Sequence, residues 1–135
     1  MSESQIHIDL VRLMFMYVQT KFEIELGHIF LDLPESKIGS KPPIIRDFRP
    51  DLFVKTKELL IIGEAKTESD WDKKHSHEQY RAYMSECVAN NSTSILLIAI
   101  PWRFERSVKS RLLHMFPINQ QSERQIIVIS DMVKL

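Results

Sequence analysis

The sequence predicts an α/β domain in which a central mixed sheet is covered by helices on both faces, and three observations carry that expectation. A broad apolar stripe over residues 6–18 reads as a helix. Two short apolar runs around a polar turn, residues 52–54 and 59–65, read as a strand hairpin. Beyond them the chain alternates helix, strand, helix, strand, and Ile95-Leu96-Leu97-Ile98-Ala99-Ile100 has the unbroken apolar character of a central strand. With 135 residues, 44% of them hydrophobic, the chain is expected to form one domain, residues 1–135, with a sizeable core.

Each element has a local reason. Ile6, Leu10, Leu13, Met14 and Tyr17 recur at helical spacing, and Ile8, Val11, Phe15 and Val18 widen the stripe until the helix must be buried on more than one side. Ser2 followed three residues later by Gln5 is a capping-box pattern that starts the helix near Glu3. Residues 23–33 alternate in a loosely strand-compatible way, and Pro34, Gly39, Ser40, Pro42 and Pro43 mark a long polar loop. Arg49-Pro50-Asp51 opens the hairpin, residues 55–58 turn it, and residues 59–65 return. Helices are expected near residues 76–89 and 103–116, with strands at 94–100 and 125–130. There is no internal repeat and no low-complexity segment.

The bulk properties exclude some functions. Eighteen basic and eighteen acidic residues cancel, so any attraction to nucleic acid must come from local patches. Cys87 is the only cysteine, which excludes an internal disulfide or a thiolate metal cage and fits a reducing, cytoplasmic setting. No secretory leader pattern opens the sequence, and no apolar run approaches the ~20 residues that span a bilayer, so no membrane partner is expected.

The chemistry concentrates in Asp51 and Glu64-Ala65-Lys66. Side chains alternate along a strand, so Glu64 and Lys66 share a face with Leu60 and Ile62, while Gly63 and Ala65 face the other way. Charges at the end of an apolar strand need partners, and Asp51 on the neighbouring strand is one. Two carboxylates converging there suit a hard divalent cation, Mg²⁺ or Mn²⁺. Such a cation would acidify a water, and Lys66 would hold that water or offset charge developing on a phosphate.

Pro50-Asp51, twelve residues, then Glu64-Ala65-Lys66 resembles the signature of the PD-(D/E)xK nuclease superfamily, and the inferred αβββαβ order with a further helix and strand looks like its restriction-endonuclease-like core. The resemblance covers nearly the whole chain. Gln79 and Tyr83 reproduce the glutamine, three residues, tyrosine pattern of the RecB-like branch, and Glu3-Ser4-Gln5-Ile6-His7 with Leu10-Val11 is similar to the opening of the virus-type replication-repair branch. By this likeness Asp51 and Glu64 bind metal with the carbonyl of Ala65, Lys66 orients or activates the water, and Gln79 and Glu3 support the site. DNA as substrate is likewise an implication of the resemblance, and so is a homodimer in which two sites address two strands.

Plainer readings stand beside these. Asp51 reads also as a solvated strand-entry residue after Pro50, and Glu64 with Lys66 as a surface charge pair. Gln79 follows Ser76 at capping-box spacing, Tyr83 belongs to an apolar helix face with Tyr80, Met84, Cys87 and Val88, and Glu3 is favourable at any helix start. His7 lies one turn beyond Glu3 and could join it near the metal, or be a packed histidine; His75 and His77 have no third ligand near in sequence and read as solvated or phosphate-facing. Basic residues gather as Lys37, Lys41, Arg46 and Arg49, as Lys73 and Lys74, and as Arg103, Arg106, Lys109 and Arg111; the first two groups flank the motif and are the favoured backbone contacts. Trp71, Trp102 and Phe104 could stack on bases or simply pack.

The expected function is therefore a Mg²⁺-dependent nuclease that hydrolyses phosphodiesters. The alternative is a nuclease-like module that binds nucleic acid or protein in a repair, restriction or mobile-element complex without cutting.

Overall fold

The computed structural model describes residues 4–33, 41–117 and 124–131. Its elements are α1 (Gln5–Phe22), β1 (Ile29–Leu31), β2 (Leu52–Lys55), β3 (Leu59–Ala65), α2 (Lys74–Ala89), β4 (Thr93–Ile100), α3 (Glu105–Met115) and β5 (Arg124–Ser130), with 3-10 turns at Leu26–His28 and Trp102–Phe104. The α/β expectation holds. One five-stranded sheet runs in sequence order, antiparallel from β1 to β3 and parallel from β3 to β5.

Parallel neighbours cannot be joined by a tight turn, so α2 and α3 carry the two crossovers. Both crossovers step the same way across the sheet, and connections of one hand then place their helices on one face. The core divides accordingly. On one face α1 lays Leu10, Val11, Met14 and Val18 against Ile61, Ile95, Leu97 and Ala99; on the other, Tyr80, Tyr83, Met84, Cys87, Val108 and Leu112 pack on Leu60, Ile62, Leu96, Ile98 and Ile100. Thus β4 contributes to both cores, as its unbroken apolar run requires. Gly63 sets how closely α1 approaches: a Cβ there would lie 3.1 Å from both Leu52 Cβ and Met14 Sδ.

Several local boundaries differ from expectation. Ser4 caps α1, its Oγ accepting from the His7 N–H at 3.2 Å, so the helix starts at Gln5 rather than near Glu3; Ser2 and Glu3 lie outside the described residues. The helix continues to Phe22 and stops where Glu23 turns left-handed at φ 53°, which confines the strand expected over residues 23–33 to Ile29–Leu31. The second helix begins at Lys74, and Ser76 does not cap it: Ser76 Oγ donates to the Asp70 carbonyl at 2.6 Å. The last part of the expected loop contains a two-residue turn, Arg46 and Asp47, both at positive φ and bracketed by paired Ile45 and Phe48. No helix among the described residues is long and apolar enough to cross a membrane.

Candidate active site

Asp51, Glu64 and Lys66 meet at the carboxyl end of β3, and all three are buried, at 5–6% exposure. Burial at that level separates a built site from a solvated charge pair, because ionic groups are taken out of water only when something receives them.

Asp51 stands immediately before β2, its backbone already in the sheet: its N–H donates to the Gly63 carbonyl and its C=O accepts from Asp32, each at 2.9 Å. Its side chain turns across the hairpin, where Oδ2 accepts from the Ala65 N–H at 2.9 Å. A carboxylate in this role forms a charge-assisted bond and terminates the β2–β3 ladder. From the α1 side, His7 Nε2 approaches the same oxygen to 3.2 Å. The sequence singled out His7 only as a companion to Glu3, and the histidine instead meets Asp51; Glu3 lies outside the described residues.

On the opposite face α2 supplies one neutral partner to each charged group. Tyr83 Oη donates to Glu64 Oε1 at 2.9 Å, and Lys66 Nζ donates to Gln79 Oε1. An ammonium can only donate, which fixes the end of the Gln79 amide that faces it. Gln79 is therefore brought against Lys66, and its alternative as a helix cap is excluded by the earlier helix start. Tyr83 is both things the sequence suggested, a fully buried core ring and a partner of the site. The match has a geometric basis. Residues 64 and 66 are ~6.6 Å apart along a strand, residues 79 and 83 are ~6 Å apart along a helix, and the crossover helix runs back against the strand, so two rungs align.

Glu64 Oε2 lies 4.0 Å from Lys66 Nζ. Even so, its pKa is raised well above the ordinary carboxylate value, first by burial and then by the charge of Asp51, against the lowering effect of Lys66 and the Tyr83 bond. Burial and the Glu64 charge also push the Tyr83 phenol up, so it stays a protonated donor. Cys87, buried in the same helix, is pushed up to about 12 and remains an inert thiol. Phe48 packs edge-on to Tyr83 at 6.5 Å and to His75 at 5.5 Å, a contact from the 41–48 segment that no sequence pattern announced.

Among the described residues no cluster of three or more His, Cys, Asp or Glu side chains forms a ready cation cage. The donor chemistry still fits a hard divalent ion, because Mg²⁺ typically takes one or two carboxylates and completes its shell with water and phosphate oxygens. Asp51 and Glu64 are the buried carboxylates of the described residues. His77 is held by Asp72 at 2.7 Å, away from any such set.

Of the basic residues before the motif, Lys41 pairs with Asp32, Arg46 pairs with Glu86, and Arg49 donates to the Pro42 carbonyl at 2.7 Å; Lys37 lies outside the described residues, and Lys73 and Lys74 are exposed at the start of α2. Arg103, Arg106 and Lys109 remain exposed beside α3. Comparison with protein-family models, with curated proteins and with solved structures gives no match to this chain.

Proposed function

We propose that this chain is a PD-(D/E)xK-type, divalent-metal-dependent nuclease that hydrolyses phosphodiester bonds, with DNA as the favoured substrate. The observation that carries the reading is the convergence of buried Asp51, Glu64 and Lys66 at one strand end, with Gln79 and Tyr83 holding the latter two. Buried charges cost stability, and a fold that keeps three of them together needs a use for them. The αβββαβ order ahead of α3 and β5 supports the same reading.

In this reading Asp51 and Glu64 would hold the cation, aided by the Ala65 carbonyl. A divalent ion bound there would supply Lewis-acid polarisation of a phosphate oxygen and would acidify an attacking water. The chain's own residues do the remaining work. Lys66, tethered by Gln79, presents a fixed positive charge where negative charge grows on the phosphate, and it can orient the water by donation. Tyr83 fixes the carboxylate plane of Glu64 without adding charge. The Ala65 amide and His7 fix Asp51.

The test uses circular single-stranded DNA, circular duplex and RNA with Mg²⁺, Mn²⁺ or chelator. Cutting that needs metal and disappears in Lys66→Ala and in Asp51→Ala supports the enzyme. Salt-sensitive binding without cutting would make the chain a binding module, and cutting that survives both substitutions would remove these residues from the mechanism.

A further inference from the structure

The segment that leaves Lys66 does not run straight into α2. Trp71 N–H donates to the Thr67 carbonyl at 3.3 Å, and the Trp71 carbonyl accepts from Tyr80 Oη at 2.8 Å, which pins the tryptophan beside α2. Its ring lies 6.4 Å from Phe104 at a 45° tilt. Between Trp71 and α3 a groove of about 610 Å³ opens, lined by Trp71, Arg106, Ser107, Ser110, Arg111 and His114. That is the volume range of sites that hold small ligands or a short piece of a chain.

The lining has the chemistry of a single-stranded nucleic-acid track. Arg106, Ser110 and His114 follow at i, i+4 and i+8, so donors repeat every ~6 Å along one helix face. Among the described residues Arg106 has no carboxylate partner. Arg111 bonds Asp72 through Nε at 3.2 Å, which orients its guanidinium and keeps the two terminal nitrogens available for phosphate. A half-buried tryptophan beside these donors offers a face on which an unpaired base can stack, whereas bases inside a duplex already stack on one another. The groove is also on the correct side of the sheet. Both walls leave the carboxyl ends of parallel strands, Trp71 after β3 and α3 after β4, at the edge where Asp51, Glu64 and Lys66 lie.

We propose that the groove between Trp71 and α3 binds a single-stranded stretch of nucleic acid, base on Trp71 and backbone on Arg106 and Arg111, and leads it to the carboxylate site. The inference rests on the nuclease reading for the word "leads", while the binding itself is independent of cutting.

The experiment measures binding in chelator, where the intact chain cannot cut. In a Trp102→Phe background Trp71 is the sole tryptophan, so its fluorescence reports on the groove. A twenty-nucleotide oligo-dT is expected to quench that emission and to bind more tightly than a duplex of equal length. Read by the fluorescence anisotropy of an end-labelled oligo-dT, Trp71→Ala should weaken binding about tenfold, with Trp71→Phe close to the parent. Exposed Arg106→Ala, which leaves the core untouched, should reduce the slope of log affinity against log salt by about 0.7. No binding, a preference for duplex, or an unchanged salt slope in Arg106→Ala overturns the proposal. So does displacement of the oligonucleotide by a poly-glutamate peptide at lower concentration than by unlabelled oligo-dT, which would assign the groove to an acidic protein segment. Melting curves show whether Trp71→Ala is folded, and if it is not, Arg106→Ala decides. Binding as stated without cutting in Mg²⁺ fails the nuclease reading alone; cutting with Trp71→Phe, Trp71→Ala and Arg106→Ala all binding like the parent fails the groove alone.

Discussion

Replacing Glu64 by glutamine removes one charge and almost no volume, and it should make the metal-free protein more stable. The Coulomb attraction between Glu64 Oε2 and Lys66 Nζ at 4.0 Å is ~4 kcal/mol at an effective dielectric of 20. Against it stand the desolvation of a carboxylate that is 6% exposed, several kcal/mol in effect, and repulsion from Asp51. Burial is the largest contribution and Asp51 the next, so the balance disfavours the charged form. Removing it is expected to stabilise the apo protein by about 2 kcal/mol, the remainder once the Lys66 attraction is set against desolvation and the repulsion from Asp51. For a chain of this length that raises the melting temperature by roughly 6 °C. The pH dependence follows from the raised pKa. Stability contributed by protonated Glu64 is fully present below the unfolded-state value near 4.5 and is lost as pH rises through the folded-state value. Thermal denaturation in chelator should therefore show little difference between Glu64→Gln and the parent at pH 4.5, and an advantage for the variant that grows towards pH 8. Added Mg²⁺ should stabilise the parent at pH 8, more than at pH 5.5 because a proton must leave, and should do little for the variant. A variant that melts below the parent at pH 8 in chelator, or by a pH-independent margin, would refute the reasoning.

Three further outcomes are expected. Tyr83→Phe removes the hydroxyl that donates to Glu64 and should cost about 1–2 kcal/mol in urea denaturation, with a fall in kcat on any cleaved substrate and little change in KM. Gly63→Ala places a methyl 3.1 Å from Leu52 Cβ and Met14 Sδ; Met14 can move but the Leu52 backbone cannot follow, so a loss of about 1–3 kcal/mol is expected from the urea midpoint. Asp47→Gly relieves a left-handed residue at φ 78° in a two-residue turn whose second position favours glycine, and should raise stability by about 0.5–1 kcal/mol in the same assay.

How far the sequence reached depended on the range of each interaction. Strand alternation placed Glu64 and Lys66 on one face, and helical spacing placed Gln79 and Tyr83 on another, because both are properties of a few consecutive residues. The unbroken run of β4 announced burial on both sides for the same reason. What joined the strand pair to the helix pair was the crossover, and no local pattern states which turn of α2 lies over which rung of β3. His7 reaches Asp51 across forty-four positions because Gly63 admits α1 close to the sheet, a consequence of packing rather than of sequence spacing. The partners of the basic groups lay beyond local pattern too. The proximity of those groups to the motif in sequence said nothing of Asp32 and Glu86, which engage Lys41 and Arg46. Capping was legible only in kind: a serine does cap α1, but it is Ser4.

The division of labour between α2 and β3 has a consequence for what the site can accept. Gln79 and Tyr83 hold Lys66 and Glu64 with neutral groups, so neither bond cancels the charge it positions. Burial and the charge of Asp51 raise the Glu64 pKa, so the metal-free pocket favours a proton on Glu64. Under the proposed function a divalent cation would displace that proton, and the two carboxylates, the ammonium and the ion, His7 left aside, would sum to plus one. A phosphodiester brings a single negative charge and closes the sum. Had α2 offered an arginine or an aspartate in place of either neutral partner, the sum would be off by one, and cation or phosphate would bind against a residual field. The two neutral rungs thus position Lys66 and Glu64 without cancelling either charge, which under the proposed function leaves both to meet a cation and a phosphodiester.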